Sequence, residues 1–142
     1  MVIREAVPGD SAAVCRICCD DLGYQCSEKF VRERLEKLDE QREAVFVADL
    51  NGEAVGFIQT DLYKTIYFET LVNIMGLAVS SLYRRQGAGR ALFAKAEEWA
   101  REMSVSGIRI CSGISRQEAH NFYRAMGCSE EKEQKRFLKK IG

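Results

Sequence analysis

The sequence predicts a single domain over residues 1–142 of the α/β (α+β) class, built on a mixed, mostly antiparallel sheet. Three observations carry this. Hydrophobic periodicity alternates between strand and helix character to give the order β-α-α-β-β-β-α-β-α-β. Asn51-Gly52 lies between two strand-like runs and is a strong type I′ hairpin signal. Two later strands are each followed by a helix, which makes them parallel neighbours.

Taken in order, Val2 to Ala6 forms a first strand, broken by Pro8-Gly9-Asp10. Asp10 is a good N-cap for a helix running to about Leu22, with Val14, Ile17, Cys18 and Leu22 on its apolar face and Gly23 as its stop. Ser27 caps a second helix carrying Val31, Leu35 and Leu38 at helical spacing, with charges on the other side. Ala44 to Leu50 and Ala54 to about Leu62 are the hairpin strands. The aromatic, charged segment Asp61 to Glu69 is a strand end followed by a loop, and Val72 to Val79 is the next strand. Leu92, Ala96, Trp99, Ala100 and Met103 then repeat as one core-facing helical stripe, which makes Trp99 a core residue. Ile108 to Ile114 gives another strand. Ser115 is placed to cap a helix from Arg116 to Met126 that stops at Gly127, and Gln134 to Ile141 alternates enough for a final strand.

Composition bounds the function. With 46% hydrophobic and 30% charged residues the chain has the make-up of a soluble globular protein. Lys+Arg and Asp+Glu are balanced at 21 each, so no basic excess favours nucleic acid or a membrane surface. No apolar run is long enough to span a bilayer and the N-terminus lacks signal-peptide blocks, so a cytoplasmic location is expected. The six cysteines include a close group at Cys15, Cys18, Cys19 and Cys26. Cys15-x-x-Cys18 has no second pair at zinc-finger spacing, so small buried or half-buried thiols are expected, and no metal.

The stretch from Leu77 to Leu92 organises the chain. A strand ends in Leu77-Ala78-Val79, polar residues follow, and Gly87 and Gly89 lead into the long helix. Glycines let the backbone bend and let a ligand approach its amides, while a helix N-terminus offers unpaired N–H groups and a positive dipole end. Arg84, Arg85 and Arg90 add cations. These features suit a pyrophosphate-like anion. A plain strand-to-helix turn is one alternative. A dinucleotide fingerprint is another, although its third glycine is Leu92 here and no acid follows at ribose-binding distance.

The pattern Arg84-x-x-Gly87-x-Gly89 resembles the acyl-coenzyme A motif of the GNAT N-acetyltransferase superfamily. Further matches are similar to that family in the same order. They are Val2-Ile3-Arg4-Glu5-Ala6 with Asp10, the hairpin Val47 to Phe57, and Ala119-His120-Asn121-Phe122-Tyr123-Arg124-Ala125-Met126-Gly127. The resemblance implies a three-layer fold, with a twisted sheet, helices on both faces and a splayed parallel strand pair. It implies acetyl-CoA as co-substrate, held by backbone groups of Leu77, Ala78 and Val79 and by Arg84, Arg85, Gln86, Gly87, Ala88, Gly89 and Arg90. It implies N-acetyl transfer to a small-molecule or peptide primary amine by direct attack, through a tetrahedral intermediate. A homodimer is compatible with it.

Tyr123 is implied as proton donor to the leaving thiolate. Its alternative is a packing role beside Phe122 and Met126. Many relatives carry a glutamate two residues before the position of Leu77, and this chain has Met75 there; Arg116 stands where many have an asparagine. The base is therefore sought elsewhere, with Glu69 ahead of Asp61 and His120. A second function class stays open, a non-catalytic acyl-CoA-binding sensor or interaction module, and Met75 is its main support.

Overall fold

The computed structural model describes residues 1–142 and divides into two compact units, Met1–Cys111 and Ser112–Gly142. The first holds a five-stranded sheet in the order β1 (Val2–Glu5), β2 (Glu43–Leu50), β3 (Glu53–Tyr63), β4 (Leu71–Val79), β5 (Ile108–Ile110). The first four strands pair antiparallel and β4 pairs parallel with β5. The β2–β3 hairpin turns at Asn51 and Gly52, whose φ values of 54° and 91° meet the need for two left-handed residues. The Asp49 carboxylate accepts the Gly52 N–H at 2.7 Å and fixes the turn.

Helices cover both faces of this sheet. On one side, α3 (Ala88–Glu102) sets Leu92, Ala96, Trp99 and Ala100 against Phe46, Ile58, Leu62, Val72 and Ile74. On the other, α1 (Ser11–Leu22) buries Val14 and Ile17 against Val47, Phe57 and Ala78, with Val31 of α2 (Glu28–Glu36) packed beside them. Gly23 ends α1 at φ 75°, and the Ser27 hydroxyl accepts the Phe30 N–H at 3.1 Å to cap α2. No helix is long and apolar enough to cross a membrane.

Asp10 has another job than the one its position suggests. It makes no side-chain bond to the amides of α1. Its carboxylate accepts the Val7 N–H at 2.8 Å and takes both ends of the Arg4 guanidinium at 2.9 Å, while Arg4 Nε reaches Asp49 at 2.8 Å. Burial alone would raise the Asp10 pKa, but the Arg4 fork and the Val7 amide outweigh it and hold the carboxyl below its usual range. This network ties β1, β2 and the start of α1 together.

The second unit contains α4 (Gln117–Ala125), which starts at Arg116 without a side-chain cap, so Ser115 does not serve as one. Gly127 follows at φ 98°, and Arg124 forks onto Glu131 at 2.6 and 2.9 Å. Two expected strands differ. Ile108 to Ile114 pairs only as far as Ile110. The final strand does not form, and residues 128–142 carry no helix or strand. A strand needs a neighbour for its N–H and C=O groups. Phe137 and Ile141, whose alternation suggested one, are 88% and 89% exposed among lysines and arginines.

Candidate active site

The organising stretch folds as strand, short 3-10 turn (Ser81–Tyr83), loop and helix. Its geometry begins with an irregularity in β4. The register with β3 passes from Thr60↔Ile74 to Gln59↔Gly76, so Met75 has no partner and forms a β-bulge. An inserted residue shifts the alternation of the strand by one. Val72 and Ile74 face α3, and after the bulge Leu77 and Val79 pack on that same cluster.

Edge orientation follows the same alternation. The Val72 N–H donates to Gly107 on the β5 side, at 2.9 Å, and the Ser80 N–H donates to Val55 on the β3 side, at 2.8 Å. Leu77 and Val79 are therefore turned to the β5 side. The ladder to β5 ends at Ile74↔Ile110, so the backbone of Leu77 and Val79 fronts an edge with no strand beside it. Ala78 alternates to the other face and is buried under α1.

Beyond Val79 the chain reverses. Arg84 is extended with ψ 156°, and Arg85 and Gly87 both adopt left-handed backbone, with φ of 64° and 84°. Gly87 is the N-cap of α3, and its carbonyl accepts the Ala91 N–H at 3.0 Å. The amides of Ala88, Gly89 and Arg90 form the first turn and have no intrahelical acceptor. Ala88 is buried beneath the turn, while Arg85, Gln86, Gly87 and Arg90 are exposed around it. A non-glycine residue such as Arg85 in this region stores about 1–2 kcal/mol, a cost concentrated at ligand sites in many folds.

One residue escaped the sequence analysis. Asp21 of α1 accepts the Ser81 N–H at 3.2 Å and lies 3.8 Å from the Arg84 guanidinium. Sixty residues separate it from Ser81, and nothing in the local pattern of α1 signals that contact. Arg84 is thus shared with a carboxylate, leaving Arg85 and Arg90 as the loop cations without one.

On the α1 side of the sheet, beyond Phe57 and Ala78, a half-buried polar patch continues through Tyr63, Asn73 and Arg109. Arg109 stacks 4.4 Å over the Tyr63 ring and donates to Asn73 at 2.8 Å. Asp61, one of the candidate bases, is gripped by Arg42 at 3.1 and 3.3 Å. Glu69 is exposed in the loop between β3 and β4, two residues before β4 begins. At strand rise, the six steps from Leu71 to Leu77 span about 20 Å, so Glu69 stands near the opposite end of β4 from Leu77.

Within the second unit, His120 bonds through Nε2 to the Gly113 carbonyl at 2.9 Å, which commits that nitrogen as donor. Tyr123, one turn on, is half-buried and packs edge-on against Phe122 with ring centroids 5.5 Å apart. Burial pushes the Tyr123 phenol above its usual pKa, Arg116 opposes that, and Cys128 adds to it.

The model of the Acetyltransferase (GNAT) family matches residues 12–128. An uncharacterised N-acetyltransferase of Methanocaldococcus jannaschii is 29% identical over 85% of this chain, which spans 55% of that relative's length. An aminoglycoside N(6')-acetyltransferase type 1 of Stenotrophomonas maltophilia is 29% identical over 90% of this chain and 86% of its own. Among solved structures, an aminoglycoside acetyltransferase from an uncultured soil metagenomic sample, crystallised with trehalose, superposes with a TM-score of 0.81. It covers 99% of this chain and 96% of its own at 19% identity, and so bears on the fold.

Proposed function

Because the chain belongs to the acetyltransferase (GNAT) family, we propose that it transfers an acetyl group from acetyl-CoA to a primary amine, with residues 1–142 acting as one catalytic domain. The observation that carries this is the open edge of β4 at Leu77 and Val79 running directly into the cationic turn before α3. That edge offers peptide groups to an extended amide chain, as a neighbouring strand would. The first-turn amides of α3, with Arg85 and Arg90, offer donors to a pyrophosphate. A pantetheine–pyrophosphate ligand combines both needs, whereas a nicotinamide dinucleotide has no use for a strand edge.

In this reading the Leu77 N–H faces the thioester oxygen and stabilises the negative charge that develops as the amine attacks. The free amine adds to the carbonyl carbon, its nitrogen gives one proton to solvent, the tetrahedral intermediate collapses, and the C–S bond breaks. Tyr123 donates a hydrogen bond to the departing sulfur. Its raised pKa decides between donation and full transfer. Moving a proton from an ordinary phenol to a thiolate of pKa about 8.5 is already uphill by about 2 kcal/mol, and burial widens that gap. Tyr123 therefore works by stabilising the thiolate, which takes its proton from water.

The amine must arrive deprotonated. At pH 7 that costs about 4.6 kcal/mol for an alkylamine of pKa about 10.4, part of which desolvation recovers. Asp61 and His120 are engaged in other contacts, and Glu69 lies about 20 Å of strand from Leu77, so in this reading the ammonium gives its proton to water rather than to any of the three. The acceptor we propose is a small amine, a class to which the substrates named for the Stenotrophomonas and soil relatives belong.

A second reading is favoured by Met75. The bulge puts a thioether where many relatives have an acid, which suits an acyl-CoA sensor without turnover. Thiol release from acetyl-CoA against an amine panel, run beside calorimetric binding, separates the two. Release with any amine supports the enzyme. Binding with no release across the panel supports the sensor, and no binding of acetyl-CoA overturns both.

A further inference from the structure

We propose that Cys15, Cys19 and Cys26 form a binding site for a thiophilic metal ion with a filled d shell, Zn²⁺ in the first instance. The α-helical repeat sets Cys15 and Cys19 one turn apart on the same flank of α1. Gly23 then ends the helix in left-handed backbone, and the chain folds back so that Cys26 lies over both. The Cys26 Sγ is 3.8 Å from that of Cys15 and 3.9 Å from that of Cys19, and all three sulfurs lie within 4.8 Å of one another.

Those spacings are the ones an ion would ask for. Zn–S bonds of about 2.3 Å in tetrahedral geometry place neighbouring sulfurs about 3.8 Å apart. Two of the three edges meet that value without any movement. Packing does not account for the cluster. Cys18, the other cysteine of α1, joins the apolar contacts beneath the helix, whereas Cys15, Cys19 and Cys26 belong to neither core cluster. They are half-buried, so the site is reachable from water, and none is in a disulfide. With three protein sulfurs, the fourth position falls to water or an added ligand.

A cysteine sulfur binds a metal as its thiolate. Binding therefore exchanges protons for the ion: each S–H bond gives its proton to solvent and each sulfur gives an electron pair to the metal. The bound ion would join the last turn of α1 to the segment that leads into the Ser27 cap of α2.

The test uses the full chain, reduced and stripped of metal, titrated with Zn²⁺ against a chromophoric chelator. Co²⁺ serves as an optical probe of thiolate ligation. The expected result is one ion per chain, release of protons on binding, and a sulfur-to-cobalt charge-transfer band. Three of the six thiols should become slow toward a disulfide reagent when zinc is bound. Cys15→Ser, Cys19→Ser and Cys26→Ser should each weaken binding by at least the roughly 10–100-fold that loss of an outer-shell partner costs, while Cys111→Ser should bind like the parent. Circular dichroism checks that each variant is folded, and Cys26→Ala, in the loop outside both cores, gives a second substitution. No uptake at micromolar free zinc, or uptake that survives Cys26→Ser, overturns the proposal. Neither readout involves acetyl transfer.

Discussion

Replacing Gly87 with alanine isolates the backbone conformation of the loop. Gly87 has φ 84°, and a Cβ built there meets nothing within 4 Å, so sterics with neighbours play no part. What remains is the intrinsic cost of left-handed backbone, about 1–2 kcal/mol, less about 0.4–1 kcal/mol because alanine restricts the unfolded chain. The net is about 1 kcal/mol. Gly52 offers the matched comparison, since it has φ 91° and equally open space. Gly52 is locked between β2 and β3 and has no freedom to relax, so Gly52→Ala should lower stability by about 1 kcal/mol, or Tm by about 4 °C, and leave acetyl-CoA binding unchanged. Gly87 lies in an exposed loop. There the alanine variant should relax to negative φ in the free protein and be driven back by the ligand. About 1 kcal/mol then appears as a roughly fivefold loss of affinity for acetyl-CoA, with Tm nearly unchanged. Calorimetry and thermal melts on both variants give the four numbers. If Gly87→Ala binds acetyl-CoA as tightly as the parent does, the left-handed turn is not part of the donor site.

Other substitutions probe separate steps. Tyr123→Phe should lower turnover by about 10²-fold, the low end for a lost hydrogen-bond donor to developing negative charge, with donor affinity kept; parental turnover at every pH removes Tyr123 from the mechanism. In the parent enzyme, turnover that depends on the Tyr123 hydroxyl should fall only as pH rises past its raised pKa, above the usual value of about 10. Glu69→Gln should change turnover no more than about threefold, because about 20 Å of strand separates it from Leu77; a hundredfold loss would bring its loop to the thioester and make Glu69 the base. Asp10→Asn should cost about 2 kcal/mol at pH 7, less than a fully buried pair, because Arg4 keeps some solvent. The Asp10 pKa is lowered in the fold. Its stabilisation is therefore complete above the unfolded carboxyl pKa of about 3.9 and disappears as pH falls through the folded value. The gap between parent and variant in urea melts should close in that acid window, and a gap constant down to pH 2 would refute the assignment.

Much of the fold was legible because its signals are local. Asn51-Gly52 specifies its turn through two left-handed residues, and Leu92, Ala96, Trp99 and Ala100 repeat on one helical face whatever lies opposite. The Gly87 turn was equally readable as a glycine before a helical run. What escaped depends on partners distant in sequence. The bulge at Met75 exists only in the register between β3 and β4. Asp10 looks like a helix cap until Arg4 is brought beside it. The alternation from Gln134 to Ile141 could not say whether a neighbouring strand was there to pair with it. The grouping of Cys15, Cys18, Cys19 and Cys26 was visible in the sequence, but Cys26 meets Cys15 and Cys19 through the turn at Gly23, which spacing does not describe.

The contact of Asp21 with Ser81 and Arg84 bears on when the loop becomes ordered. A loop that is fluid before its ligand arrives loses conformational entropy on binding, about 1–2 kcal/mol for each residue fixed. Here the start of the loop is already pinned to α1 by a carboxylate whose side chain is 9% exposed. Folding has settled the position of Ser81 and Arg84 in advance, and in the proposed function donor binding has only the residues from Arg85 to Gly87 left to arrange. Loss of that anchor through Asp21→Ala would lengthen the free segment toward Val79. The penalty would then fall on the association step, as a slower and weaker capture of the donor by a loop that must first find its shape.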